Sequence, residues 1–153
     1  MEQQLYLNKK KMKRYLFILV LITSCIKFPN IGIGYKLCYN SRGDIGIVNS
    51  YNSYLIYGHI LEYKFDSMFI IVSERPRDSI PECNRSMTLT KCNEAFAKSM
   101  FTQYWIIDKR QKSVFIEQSK TFSNVYGPFN KAKFLNLFFK LHIPKRLELK
   151  DCY

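Results

Sequence analysis

The chain is poor in the residues and spacings from which active sites are built. Its 153 residues include two histidines, and neither His59 nor His142 stands at a spacing suited to a shared metal ion. The five cysteines form no C-x-x-C, which removes the usual zinc signature. There is no G-x-S-x-G, no H-E-x-x-H and no Walker-type glycine loop, so no hydrolase, metalloprotease or nucleotide motif is present. Acidic residues number 12 against 24 Lys and Arg. Asp44, Glu62, Asp66, Glu74, Asp78 and Glu82 could in principle supply the carboxylate pair of a glycosidase, but their spacing selects no pair. The basic residues are scattered singly rather than gathered into a groove-like run, so the excess carries no nucleic-acid signature. No internal repeat, low-complexity tract or interdomain linker divides the chain. These absences point away from an enzyme, and they call for no metal, cofactor or nucleic acid.

What is present begins at residues 12–25, MKRYLFILVLITSC. Lys13 and Arg14 are a basic flank, residues 15–22 are an apolar run too short to span a bilayer, and Thr23 and Ser24 are small. That is the layout of a secretory signal peptide. Ile22-Thr23-Ser24-Cys25 also resembles the bacterial lipobox, a branched aliphatic and two small residues before the cysteine that receives lipid. The resemblance implies cleavage before Cys25, a diacylglyceryl thioether on that sulfur and an extracytoplasmic protein anchored at the cell envelope. The competing reading is a plain signal peptide or a buried apolar strand. Residues 1–24 are accordingly read as a lipoprotein signal peptide, with Met12 as the preferred start. Residues 25–43 are read as lipidated cysteine and tether, and 44–153 as one domain.

The formal charge is +12. The segment before Cys25 holds Lys9, Lys10, Lys11, Lys13 and Arg14 against Glu2, so about +8 stays with the rest. A basic surface favours anionic neighbours, and at an envelope these are lipid head groups, anionic polymer or another envelope protein. Beyond Cys25 four cysteines remain: Cys38, Cys83, Cys92 and Cys152. An even number in an exported domain suits disulfides. Three pairings are open, with free buried thiols as the alternative. Cys83 and Cys92 would close a short ring at low entropic cost.

Strand formers dominate the domain. Residues 45–48 and 54–57 are short apolar segments. Residues 60–65 alternate, and 68–73 are apolar on both faces, so 60–73 predicts a hairpin with its second strand central. Residues 74–84 predict an exposed loop. Thr88 or Thr90 would cap a short helix carrying Cys92, Ala95, Phe96 and Met100 on one face. Residues 103–108, QYWIID, predict a strand, with one or two strand pieces between 113 and 125. Tyr126-Gly127-Pro128 is expected to break the strand. Asn130 is expected to cap an amphipathic helix through His142, with Phe134, Leu137, Phe138 and Leu141 inward and Pro144 as the stop. Leu147 and Leu149 suit a last strand or an extended tail. The fold expected is α+β: a small antiparallel sheet with one short helix and one C-terminal amphipathic helix packed on it.

The segment Tyr104-Trp105-Ile106-Ile107-Asp108-Lys109, then Tyr126-Gly127-Pro128-Phe129-Asn130 and Ile143-Pro144, resembles a family of small bacterial lipoproteins of unknown function. The resemblance covers roughly residues 44–150, and no activity, ligand or catalytic residue comes with it. The gap before Tyr126 is longer here, so 113–125 reads as an insertion. Tyr104, Trp105 and Tyr126 are candidate scaffold or contact aromatics, with Trp105 and Tyr126 expected to seat the C-terminal helix on the sheet. The function expected is a non-enzymatic envelope interaction or structural module. The alternative is an inhibitor or immunity protein acting against a hydrolase or toxin.

Overall fold

The computed structural model describes residues 29–39, 43–83 and 88–150. The proposed signal peptide, Cys25 and Cys152 lie outside these residues. Among the described residues nine strands and two helices follow in the order β1 (Tyr35–Tyr39), β2 (Ile45–Asn49), β3 (Tyr54–Ile56), β4 (His59–Phe65), β5 (Phe69–Arg75), α1 (Leu89–Lys98), β6 (Gln103–Asp108), β7 (Phe115–Ile116), β8 (Thr121–Phe122), β9 (Val125–Phe129) and α2 (Lys131–Lys140). All the pairings are antiparallel. One sheet runs β1-β2-β3, a second β4-β5-β6-β9, and β7-β8 is a small ribbon. This is an α+β fold.

The four-stranded sheet is the middle of three layers. Period-two alternation sends Ile70, Val72 and Ile107 to one face, where Leu37, Ile47, Leu55 and Ile56 of the small sheet meet them. Phe69, Ile71, Tyr104 and Ile106 go to the other face, against Phe134 and Phe138 of α2 and Ile143, Leu147 and Leu149 beyond it. Internal position and double-sided cover explain why β5 reads FIIVSER, with six of its seven residues buried. The β4–β5 hairpin turns at Asp66, whose Oδ1 accepts from the backbone N–H of Met68 and Phe69 at 2.8 and 2.9 Å. The 3-10 turn Lys145–Leu147 and the extended residues after it lie along the β4 edge, where Lys150 N–H donates to Glu62 Oε2 at 2.8 Å. Leu147 and Leu149 thus fill core positions without forming a strand.

Several local expectations change. Tyr35–Tyr39 form β1, paired with β2 from Tyr35–Asn49 to Tyr39–Ile45, so the stretch 25–43 read as a tether contains a strand of the fold. Residues 74–84 are not a simple exposed loop: Glu74 and Ile80 are buried, and two 3-10 turns follow β5. Tyr126-Gly127-Pro128 does not break a strand but lies inside β9. β9 is the sheet edge, where a proline without an N–H removes no ladder bond. Gly127 has φ +139°, and a Cβ there would lie 2.6 Å from the Trp105 ring, so only glycine fits.

Trp105 does not seat the helix. Alternation along β6 turns Trp105 to the face of the small sheet, and Tyr104 stacks on Phe134 instead, with ring centroids 5.0 Å apart. Tyr126 does lie on the helix side, and its hydroxyl accepts from Gln111 Nε2 at 2.7 Å.

Candidate functional site

A group of linked polar side chains lies where β4 begins and β5 ends. Asp44, just before β2, is 3% exposed. Arg77 Nε donates to both of its oxygens, at 3.0 and 2.9 Å. His59 Nδ1 lies 3.2 Å from Asp44 Oδ1. A carboxylate can only accept, so Nδ1 carries the hydrogen. Arg77 Nη1 then reaches α1, donating to Asn93 Oδ1 at 3.0 Å. The Phe96 ring is the hub: the Arg77 guanidinium sits over it at 4.2 Å, that of Arg75 at 5.5 Å, and His59 meets it edge-on at 5.1 Å. Arg75 Nη1 also donates to the Phe96 carbonyl at 3.0 Å. Planar guanidinium groups suit this combined stacking and bonding.

Beside His59 is a buried acid. Glu74, 2% exposed, accepts from Trp105 Nε1–H at 2.7 Å through Oε1, while its Oε2 finds no partner. Burial pushes its carboxyl up to about 7, against the opposing pull of the Trp105 hydrogen bond. Gly58 makes room: a Cβ there would stand 2.1 Å from Glu74 Oε2.

This chemistry holds parts together. Asp44 and His59 resemble two members of a hydrolytic triad, but Arg77 occupies the carboxylate, and the nearby sulfur of Cys92 is bonded to Cys83. Among the described residues no His, Cys, Asp and Glu cluster could hold a metal. The open cleft beside α1, about 590 Å³, is lined by Ser79, Ile80, Pro81, Lys91, Glu94 and Lys98, among others.

α1 itself buries no residue. Thr88 caps it, accepting from Lys91 N–H at 3.4 Å, and the Cys83–Cys92 disulfide ties its first turns to the preceding segment. The face expected to pack, with Cys92, Ala95, Phe96 and Met100, is at most half-buried, and Met100 lies beyond the helix and is 88% exposed. Leu89 and Phe101 are exposed as well.

Of the cysteine candidates, Cys38 carries a thiol near the Tyr39 carbonyl. Burial, and then Cys38 itself, push the nearby Tyr54 hydroxyl up to about 12. Asp44, His59 and Glu74 stand out individually in the sequence, but their junction with Arg77 and Phe96 does not. The available signal was Arg75 and Arg77 at the end of, and just beyond, a strand apolar on both faces.

Residues 33–153 match the family model described as a protein of unknown function, DUF3997. The chain belongs to this family. Membership spans both sheets and both helices and assigns no activity. No curated protein and no solved structure shows a significant match.

Proposed function

We propose that the chain is exported, lipidated on Cys25 and anchored at a bacterial envelope membrane, where its domain serves as a non-catalytic interaction module. The carrying observation is how the chain uses its polar groups at the α1 end. Asp44, Arg77, Asn93 and Phe96 hold in place a helix with no fully buried residue, while Leu89, Met100 and Phe101 stay exposed. Such an arrangement supports a reading in which the α1 end displays a surface. Residues 12–25 supply the argument for the anchor, and the Cys83–Cys92 bond suits an oxidising destination. The partner class is another envelope protein or an anionic envelope polymer, not nucleic acid.

Cys25→Ser is expected to leave an unprocessed precursor and abolish membrane partitioning. A mature N-terminus other than lipidated Cys25 by mass spectrometry overturns the anchor. Affinity capture of the lipidated protein from its own membranes tests the interaction. The same partner should be lost with Leu89→Glu or Met100→Glu, and capture indifferent to both overturns the α1 surface. Protection of cells against one toxin would move the protein to the inhibitor or immunity class.

A further inference from the structure

The two helices present ridges of the same geometry and different charge. On α1, Lys91, Glu94 and Lys98 are exposed at i, i+3 and i+7. On α2 the same three places are held by Lys133, Asn136 and Lys140, also exposed. At 1.5 Å per residue the two lysines of each ridge stand about 10 Å apart along the axis. The acid between them is present on α1 and absent on α2.

The absence extends around α2. No acidic residue occurs between Glu117 and Glu148. Within that stretch Lys120 pairs with Glu117 and Arg146 with Asp66. Among the described residues Lys131, Lys133, Lys140 and Lys145 enter no ion pair. Asp66 and Glu62, the acids bonded to Arg146 and Lys150, belong to the β4 hairpin and edge, whereas α2 packs over β6 and β9. Helix stability does not account for this charge. Lys131 and Lys133 stand in the first turn of α2, the end at which the helix dipole disfavours cations.

The kind of cation narrows the partner. Arg77, Arg110 and Arg146 are each engaged by an aspartate of the chain itself. The unpaired cations of the α2 ridge are lysines, rotatable point charges that respond to charge density more than to the shape of one anionic group. An acid-free ridge one side chain wide suits a flexible chain that repeats the same negative charge along its length. A lipid surface matches less well. Helices that lie in a bilayer surface enter it with their apolar face, and that face of α2 is already in the core through Phe134 and Phe138. Phe139, 66% exposed, is the large apolar side chain left toward solvent.

We infer that the Lys133–Asn136–Lys140 ridge of α2, with Lys131 before it and Lys145 beyond it, binds a flexible linear polyanion. Of the partner classes proposed above this takes the polymer and places it on α2. It rests on the proposed export only for where such a polymer is met, and the binding itself needs no lipid on Cys25. The test measures binding of poly(glycerol phosphate) to the full-length protein in neutral detergent. Binding is expected at low salt and should be lost at about 1 M, where the screening length falls to about 3 Å. Lys133→Gln with Lys140→Gln should weaken it several-fold. So should Asn136→Glu, which gives α2 the charge pattern of α1. Lys133→Arg with Lys140→Arg should retain binding, and Lys91→Gln with Lys98→Gln should leave it unchanged. Short-chain phosphatidylglycerol at equal phosphate should displace the polymer poorly, because linked charges engage several lysines at once. No binding, binding indifferent to the α2 substitutions, or equal loss from the α1 pair overturns the ridge. Ready displacement by the short-chain lipid overturns the polymer as occupant in favour of a lipid head group. The mass of the Cys25 peptide, read in the same preparations, decides the anchor separately: polymer binding with unmodified Cys25 keeps the ridge and removes the anchor, and lipidated Cys25 without binding does the reverse.

Discussion

The two helices are alike in outline and differ in what holds them. α1 and α2 are ten residues each, start from a side-chain cap on Thr88 or Asn130, lack an acid in the first turn and carry lysine in the last. α2 inserts Phe134 and Phe138 into a core shared with Tyr104 and Ile106. α1 inserts nothing, and is held by a disulfide, an arginine–carboxylate link and guanidinium contacts on one half-buried ring. Amphipathic pattern alone therefore does not bury a helix. A complementary apolar surface must be within reach, and the second face of the β4-β5-β6-β9 sheet is already filled by α2 and residues 143–149. Helices held by packing melt with the whole domain, whereas one held by a few local links can open separately.

The largest expected effect is on the packed side. Phe138→Ala should cost about 3–5 kcal/mol and lower the melting temperature of the whole domain. A melting curve that overlays the original would show that α2 is no more integrated than α1.

Glu74 tests the core on its other face, where it is buried against Trp105. Its folded value of about 7 lies above the ordinary glutamate value of 4.5, so the native state holds the proton more tightly than the unfolded chain. The stability this gives is full below about pH 4.5 and is lost as pH rises through about 7, an effect of order 3 kcal/mol. Glu74→Gln should flatten that dependence and leave the variant more stable than the original above pH 7. Denaturant melts across pH 4–8 decide, and an unchanged slope in the variant would assign the dependence to other groups.

Removing the disulfide by Cys83→Ser and Cys92→Ser together should cost about 2–3 kcal/mol in the chain-entropy account. Amide hydrogen exchange should quicken across α1 while α2 keeps its protection. Equal loss in both helices would mean that the two ends of the fold open as one unit.

The smallest effect is expected at the hub of α1. Phe96→Ala removes its cation–π contacts, each worth about 0.5–2 kcal/mol, and should loosen α1 with little change in the global melt. A cost matching that of Phe138→Ala would place Phe96 in the core.

Local sequence pattern by itself determined the elements whose signals lie within a few residues. The two-sided apolar run of 68–73 marked β5 as the internal strand of a hairpin with β4, although a bulge between Ile60 and Glu62 breaks the alternation expected over 60–65 and leaves Leu61 and Phe65 exposed. Thr88 or Thr90, of which Thr88 is the cap, and Asn130 marked both helix starts, and the spacing of Phe134 and Phe138 marked the buried face of α2. Tertiary structure decided everything that depended on which surfaces were already occupied. It turned Trp105 toward the small sheet and onto Glu74, and gave the helix to Tyr104. It let Gly127 and Pro128 lie within a strand because that strand is an edge. It brought Asp44, His59 and Arg77 together across up to 33 positions, and it left α1 without a core to enter. The physical reason is range. Caps, turns and alternation follow from sterics and hydrogen bonds between near neighbours, while a side chain's face, partner and burial follow from pairings between segments far apart in the chain.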